Sequence, residues 1–244
     1  IYFFNRKGYC TVTLFLFKVI YILKNIDYTF NFMQIEKNLS ILKNSIPDNI
    51  DIVAVSKTKP INDLKKAYHA GQRIFGENKV QEMVSKFEQL PKDILWHMVG
   101  HLQTNKVKYI ASFVNTIHSL DSHKLLKEVQ KQAFKHNREI KCLIQIRIAN
   151  EETKFGIEPS ELEEFLNFSK TLPNIKISGL MGMASFTEDK NQIRNEFRSL
   201  SNLYNSYDNL RVLSMGMSGD YRIGIEEGST MVRIGSKIFG ERNY

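Results

Sequence analysis

From residue 33 onward, short apolar or β-branched runs alternate with longer stretches in which apolar residues recur at helical spacing. Eight runs are predicted strands: 50–57, 73–77, 95–99, 116–120, 141–148, 175–183, 211–216 and 230–235. The stretches 122–137, 159–172 and 191–207 are predicted helices. Strands that alternate with helices are typical of βαβ units, so the sequence predicts a parallel sheet.

The number of strands favours a closed barrel. Eight strands with intervening helices in roughly 210 residues match a (β/α)8 TIM barrel near the lower end of its size range. The alternative is an open doubly wound sheet, which often has a G-x-G-x-x-G turn after its first strand. No such turn follows residues 50–57, and the glycines of GLMGM (179–183) lie in a predicted strand at a different spacing. We therefore predict an α/β fold with a single barrel over residues 33–244.

The first 32 residues differ from the rest. The apolar run CTVTLFLFKVIYIL (10–23) is interrupted by Lys18 and is shorter than the about 20 apolar residues of a spanning helix. A signal peptide is the alternative, because Arg6 and Lys7 precede this run, but no small-residue cleavage site follows it. Met33 precedes a predicted amphipathic helix, so we interpret Met33 as the initiator. Residues 1–32 are then a non-native or disordered extension.

The charge and the cysteines limit the classes of partner and compartment. A formal net charge of +8 favours anionic partners such as nucleic acid, membrane surfaces or phosphorylated small molecules. The cations are scattered, however, and no RNA- or DNA-binding motif accompanies them. We therefore expect neither a nucleic acid nor a membrane partner. The two cysteines are far apart and Cys142 lies in an apolar run, which indicates a buried thiol and a reducing, cytoplasmic compartment.

Polar side chains follow most of the predicted strands. Active sites of parallel barrels lie at the C-terminal ends of the strands, so we expect these side chains to meet at one mouth. They are Lys57, Glu77, Asn78, His101, Gln103, Asn105, Ser119, Asp121, Arg147, Asn150, Ser214 to Ser218, Gly235 and Ser236. Alternation in the first strand puts Val53, Val55 and Lys57 on one face, which would point Lys57 into the mouth. Lys59 precedes a proline and is expected in the loop.

Two turns rich in small residues follow the last two strands, SMGMSGDY (214–221) and RIGSKIFG (233–240). Barrels often bind phosphate there, where backbone N–H groups and a helix N-terminus face the anion, although glycine and serine also form ordinary turns. Arg233 lies within the last strand and needs either a buried ion pair or a ligand. A lysine, a phosphate site and an arginine around one mouth would suit a phosphorylated aldehyde cofactor, which lysine binds as a Schiff base.

Eight motifs occur in one order: AVSKTKP, FGENKVQE, WHMVGHLQTNKVK, HSLDS, KFGI, GLMGM, LSMGMSGDY and GSTMVRIGSKIFGERNY. Together they resemble the pyridoxal phosphate homeostasis protein family, relatives of the N-terminal barrel of bacterial alanine racemase. The resemblance covers about residues 34–244 and implies a fold-type III barrel that carries pyridoxal 5′-phosphate (PLP). It matches Lys57 to the Schiff-base lysine, Asn78 to a position near the cofactor ring and Arg233 to one facing the pyridine nitrogen. The residues that it places around the phosphate are Ser214, Met215, Ser218, Gly235 and Ser236.

The resemblance also implies a limited chemistry. A guanidinium stays protonated at ordinary pH, so an arginine beside the pyridine nitrogen keeps that nitrogen unprotonated and weakens the ring as an electron sink. In the racemases a second base comes from a tyrosine of an added C-terminal β-domain, which we do not expect after FGERNY. We therefore expect a cytoplasmic PLP carrier for vitamin B6 homeostasis with little or no catalysis, monomeric, with apo-enzymes that use PLP as recipients. The alternative is a weak amino-acid racemase with Lys57 as its single base.

Other candidate sites are less convincing. His97 and His101 are four residues apart, but the predicted change from strand to loop between them breaks helical register, so we expect no zinc pair and no metal site. Trp96 and Tyr109 are expected to be packing residues, and Cys142 to lie in the core.

Overall fold

The computed structural model describes residues 34–149 and 155–241. Its strands are β1 (Asp51–Val55), β2 (Ile74–Glu77), β3 (Leu95–Met98), β4 (Thr116–Leu120), β5 (Ile140–Gln145), β6 (Ile175–Met181), β7 (Val212–Ser214) and β8 (Met231–Ile234). Each strand pairs in parallel with the next, and β8 pairs with β1, which closes the barrel. The predicted (β/α)8 barrel is confirmed.

Helices cover the outside of the barrel. They are α1 (34–45), α2 (Ile61–His69), α3 (Val80–Gln89), α4 (His123–Lys135), α5 (Leu162–Ser169), α6 (Lys190–Asn205), α7 (Tyr221–Glu226) and α8 (Ser236–Phe239). Two 3₁₀ helices, Thr104–Tyr109 and Pro159–Glu161, complete the layer. The three predicted helices correspond to α4, to the second 3₁₀ helix with α5, and to α6.

The strands are buried on both faces, which explains why they read as nearly continuous apolar runs. Val53 of β1 packs with Val99 and Met231 in a small cluster inside the barrel. Its neighbour Ala54 belongs to the large cluster between the strands and the helices. The predicted alternation of β1 is therefore confirmed, and it determines which side chains reach the mouth.

Local signals define the starts of the longer helices. The Ser122 hydroxyl accepts a hydrogen bond from the N–H of Leu125 at the start of α4. The Asp189 carboxylate accepts hydrogen bonds from the N–H groups of Asn191 and Gln192 at the start of α6. These side chains satisfy backbone donors that have no partner within the helix, so each helix begins at a defined residue.

Two of the packing predictions are confirmed and one is wrong. Trp96 is fully buried beside Phe75. Cys142 is also fully buried, and burial raises the pKa of its thiol well above the ordinary value. Tyr109, in contrast, is 52% exposed, because it ends the first 3₁₀ helix on the outside, beside the ammonium group of Lys108.

Within the part of the chain that the structure describes, no helix is both long enough and apolar enough to cross a membrane. The apolar run 10–23, the Met33 start and Asn150 lie outside the described residues.

Candidate functional site

A cavity of about 420 Å³ opens at the C-terminal end of the barrel. Its volume lies within the roughly 300–1,000 Å³ range of small-molecule sites. Six of the eight predicted cofactor residues border it: Lys57, Asn78, Ser218, Arg233, Gly235 and Ser236. Residues from opposite ends of the sequence meet here because β1 and β8 are neighbours in the closed barrel.

Lys57 follows the end of β1 and borders the cavity in a half-buried position. The next residue, Thr58, has a φ of 63°, in the left-handed region that β-branched residues rarely adopt. Its N–H donates a hydrogen bond of 2.6 Å to Glu82 Oε1. Strained backbone held by its surroundings is common at functional sites, and here it turns the chain directly after the lysine.

Lys59 lies in the loop after β1, as predicted. Its Nζ donates to the carbonyl oxygens of Phe239 (3.0 Å) and Glu241 (2.9 Å). It borders the same cavity as Lys57. The second lysine of the SKTK sequence therefore ties the β1 loop to the residues that follow β8.

Arg233 faces the interior of the barrel and is only 4% exposed. It pairs in register with Val53, and paired residues on neighbouring strands share a face. Its guanidinium donates to Ser214 O (2.8 Å), Ser214 Oγ (2.7 Å) and Gly182 O (2.9 Å). Burial lowers its pKa to about 10, so the group remains protonated at neutral pH. Of the two alternatives for Arg233, the buried ion pair is not found among the described residues; the guanidinium faces inward and bonds to protein oxygens, and its contact with a ligand stays a prediction.

Ser214 and Met215 are the two predicted residues that do not border the cavity. Ser214 pairs in register with Met231, which lies inside the barrel, so its hydroxyl is buried beneath the cavity. The following residue, Met215, points the other way and packs in the cluster between strands and helices.

Ser214 joins Arg233 to two histidines inside the barrel. Ser214 Oγ lies 3.3 Å from His118 Nδ1, and His118 Nε2 lies 2.9 Å from His97 Nδ1. Burial lowers the pKa of His97 to about 3 and that of His118 well below the ordinary value. Both imidazoles are therefore neutral at physiological pH, and together with Ser214 they form a hydrogen-bonded column beneath Arg233.

The loops after β7 and β8 border the cavity with small residues. The N–H of Gly235 donates to Ser218 Oγ (3.2 Å), which joins the two loops. A Cβ on Gly235 would lie 3.0 Å from the carbonyl oxygen of Val55, so only glycine fits against β1 without a shift. Gly216 has a φ of +96°. Small residues at these positions leave backbone accessible to an anion.

The charges around the cavity suit an anionic ligand. Lys57, Lys59 and Arg233 border it, and the described residues that line it include no carboxylate. An amine, a buried guanidinium and a small-residue loop pair match the three functional parts of PLP: its aldehyde, its ring nitrogen and its phosphate. The residues present therefore fit this cofactor.

Several residues expected at the mouth lie elsewhere. Glu77 is the last residue of β2 and points toward α3, because Gly76 before it faces the interior, against Val53. His101 Nδ1 lies 3.2 Å from Asp121 Oδ2, and its ring stacks on Phe155, but neither member of this pair borders the cavity. Strict alternation along β2 could have predicted the direction of Glu77.

Three large apolar residues also border the cavity, and two of them, Met183 and Phe186, were not predicted; the third, Met217, lies within the predicted stretch Ser214 to Ser218. They follow β6 and β7, so their position at strand ends was a usable signal, although no polar group marked them. Phe186 and Met217 are also exposed to solvent, which makes this side of the opening apolar.

His97 and His101 do not act as a pair, since His97 is bonded to His118 and His101 to Asp121. Over residues 34–149 and 155–241, no group of three or more His, Cys, Asp or Glu side chains is arranged to hold a metal ion.

Comparisons with known proteins identify the family. Residues 31–243 match the family model described as alanine racemase, N-terminal domain. The pyridoxal phosphate homeostasis protein of Aquifex aeolicus is 44% identical over 199 residues, which cover 79% of this chain and 87% of that protein. The structure of PipY from Synechococcus elongatus PCC7942, solved with PLP bound, superimposes with a TM-score of 0.78 at 32% identity, covering 85% of this chain and 100% of that one.

A more distant comparison concerns the fold alone. An alanine racemase of Clostridium difficile 630 has a TM-score of 0.72 at 13% identity, and the match covers 86% of this chain and 57% of the racemase. The family model matches most of the chain, and the chain covers most of the length of its similar relatives. The chain belongs to the pyridoxal phosphate homeostasis protein family, whose barrel is that of the alanine racemase N-terminal domain.

Proposed function

We propose that this protein binds PLP covalently through Lys57, as a Schiff base, and holds it for intracellular PLP and vitamin B6 homeostasis. The observation that carries the proposal is that Lys57, Arg233 and the loops after β7 and β8 border one cavity free of carboxylates among its described lining residues. The names of the relatives and the PLP in the PipY structure support the same assignment.

Each part of the cavity has a proposed role. PLP supplies an aldehyde carbon, which forms a C=N bond to Lys57 Nζ with release of water. Ser218, Gly235 and Ser236 would bind the phosphate, supported by the small residues and the hydrogen bond between the two loops. Ser214 and Met215 would contribute from beneath, by supporting Arg233 and the β7 loop. Asn78 would lie beside the ring, next to Lys57 at the cavity wall.

Arg233 would donate a hydrogen bond to the pyridine nitrogen. Its guanidinium is held by three acceptors from β7 and the segment after β6, so it has little freedom to move away. Because its pKa of about 10 lies above physiological pH, it would act as a donor and leave the ring nitrogen unprotonated. That arrangement favours holding the cofactor over stabilising carbanions, so we assign the protein as a carrier with little or no turnover.

The test is a visible absorbance spectrum with and without added PLP, followed by borohydride reduction and mass mapping. The spectrum should show a Schiff base, and reduction should place the adduct on Lys57. Lys57→Ala should abolish both, whereas Lys65→Ala, a control on the exposed face of α2 away from the cavity, should keep the adduct on Lys57. Protein that stays colourless with added PLP, or carries the adduct on another lysine, contradicts the proposal.

The racemase alternative is tested by incubating the PLP-loaded protein with L- or D-amino acids in deuterated water. In a carrier, the amino acid can replace Lys57 at the imine carbon, but it keeps its own α-proton. Exchange of the α-proton at enzyme-like rates would overturn the carrier assignment.

We also propose that the carrier is a cytoplasmic monomer that passes PLP to apo-enzymes. PLP-loaded protein should reactivate a PLP-dependent apo-enzyme at least as fast as an equal concentration of free PLP. Light scattering should give the mass of a single chain, at most 28.4 kDa. Slower reactivation than with free PLP would indicate storage without delivery.

A further inference from the structure

Three charged side chains, Glu77, Glu82 and Lys86, form a cluster on the outer side of β1, facing α3. Lys86 Nζ donates to Glu77 Oε1 and to Glu82 Oε1, at 2.7 Å in both cases. We call these three side chains the β2–α3 cluster. None of them borders the cavity, so they are not placed to touch a ligand.

The cluster is largely removed from solvent. The side chains of Glu77 and Lys86 are 0% and 5% exposed, and that of Glu82 is 23% exposed. Burial raises the pKa of Glu77, and the nearby ammonium of Lys86 partly opposes that shift. Buried ion pairs are often no more stabilising than apolar residues of the same volume, so stability alone is a weak explanation for this arrangement.

The hydrogen bonds of the cluster converge on the two residues that flank Lys57. On one side, Lys86 Nζ donates to the Ser56 carbonyl (2.7 Å), and the Ser56 hydroxyl donates to Glu77 Oε1 (2.6 Å). On the other side, the N–H of Thr58 donates to Glu82 Oε1 (2.6 Å). One connected network of hydrogen bonds therefore holds the backbone directly before and directly after Lys57.

We propose that Glu77, Glu82 and Lys86 are positioning residues that hold the backbone around Lys57 and so aim its amine into the cavity. The inference rests on the proposed role of Lys57 as the Schiff-base lysine. The left-handed backbone of Thr58 is the conformation that the network has to maintain, because a β-branched residue disfavours it and the Glu82 carboxylate holds its N–H.

A second ion pair in the barrel provides a matched control. Lys66 Nζ lies 3.0 Å from Asp63 Oδ1 on α2, with side chains 3% and 12% exposed. Neither residue borders the cavity. A purely structural contribution of the β2–α3 cluster would resemble that of this pair, whereas positioning of Lys57 would be specific to the cluster.

The first experiment follows the rate of Schiff-base formation by absorbance after cofactor-free protein is mixed with PLP. Glu82→Ala should slow the reaction at least tenfold, since a misplacement of about 1 Å can cost about 10²-fold in rate. Glu82→Gln keeps an oxygen acceptor for Thr58 and should recover most of the rate. Asp63→Ala should react like the wild type.

The second experiment needs no cofactor. Hydrogen–deuterium exchange of peptides that contain residues 56–59 should be faster in Glu82→Ala than in the wild type, and unchanged in Asp63→Ala. Glu82 is the most exposed member of the cluster, so replacing it should disturb folding least. Its variants can therefore be compared with the wild type in the folded state.

The outcomes distinguish a failure of the proposed function from a failure of the positioning inference. If the wild type forms no adduct on Lys57, the proposed function fails, and the exchange data still report whether the cluster holds residues 56–59. If the wild type forms the adduct but Glu82→Ala reacts at the wild-type rate, or if Asp63→Ala slows the reaction equally, the positioning inference is wrong.

Discussion

The two sides of the barrel mouth are built differently. At the end of β1, buried charged side chains hold the backbone around Lys57, and Thr58 is kept in a left-handed conformation. At the ends of β7 and β8, glycines and serines form the wall, and the two loops are joined by a hydrogen bond from the Gly235 N–H to the Ser218 hydroxyl. The difference follows from the proposed chemistry. A covalent anchor needs one amine aimed accurately, whereas an anion needs accessible backbone.

The largest expected effect concerns the β1 side. Lys86→Met leaves Glu77 buried without its ammonium partner, so the free energy of unfolding should fall by about 3–5 kcal/mol. Urea unfolding measures this loss. Lys65→Met, on the exposed face of α2, is the control and should change stability by less than about 0.5 kcal/mol. Equal losses of unfolding free energy in the two variants would show that the cluster does not stabilise the β1 side of the barrel mouth.

The histidine column beneath Arg233 makes a pH prediction. The folded-state pKa of His97, about 3, lies below the ordinary value of 6.5, and that of His118 is lowered in the same direction. The unfolded chain therefore binds more protons, and stability should be full above pH 6.5 and decline as pH falls toward 3. The slope should approach about 1.4 kcal/mol per pH unit for each histidine.

Urea unfolding at pH 7, 6 and 5 measures that slope, and proton NMR should show both imidazoles neutral in the folded protein at pH 5. The prediction is wrong if the free energy of unfolding does not fall between pH 7 and pH 5. It is also wrong if both imidazoles titrate near pH 6.5, because His97 and His118 are then not held neutral beneath Arg233.

Two glycines in the β7 loop provide a matched pair. Gly216 has a φ of +96°, and a Cβ there would lie 2.8 Å from the Cα of Tyr221, so Gly216→Ala should cost about 1–3 kcal/mol. A Cβ on Gly219 meets nothing within 4 Å, and Gly219→Ala should cost less than about 0.5 kcal/mol. Thermal unfolding of the two variants measures the difference. Similar stabilities of the two variants would mean that the loop can change its conformation at residue 216 without a measurable cost.

The smallest effect concerns the link between the two loops. Ser218→Ala removes the acceptor of the Gly235 N–H and should cost about 0.5–1.5 kcal/mol. PLP affinity, measured by absorbance titration, should fall as well, because Ser218 borders the cavity. Ser206→Ala is the control: the Ser206 hydroxyl donates to the Asn202 carbonyl in the last turn of α6, and its loss should leave PLP affinity unchanged. An equal affinity of both variants would remove Ser218 from the proposed phosphate site.

Much of the fold could be predicted because it depends on local periodicity. Alternation in β1 predicted that Val53 and Val55 face inward, and this parity carries Lys57 to the cavity. The same reasoning, applied to β2, would have directed Glu77 toward α3. The predicted strands ran too far at some C-terminal ends. Residues 56–57 and 146–148, for example, leave the sheet and enter the mouth loops.

The sequence by itself determined the barrel, the strand order and the set of strand ends from which the cavity is built, because alternation and helical spacing are short-range properties. Only the tertiary structure decided that Ser214 lies beneath the cavity, that Met183 and Phe186 border it, and that Glu77, Glu82 and Lys86 surround the exit of β1. Beyond a strand end, the direction of a side chain depends on single backbone angles, such as those of Thr58 and Gly216, and on contacts between distant segments. Periodicity carries no information about either.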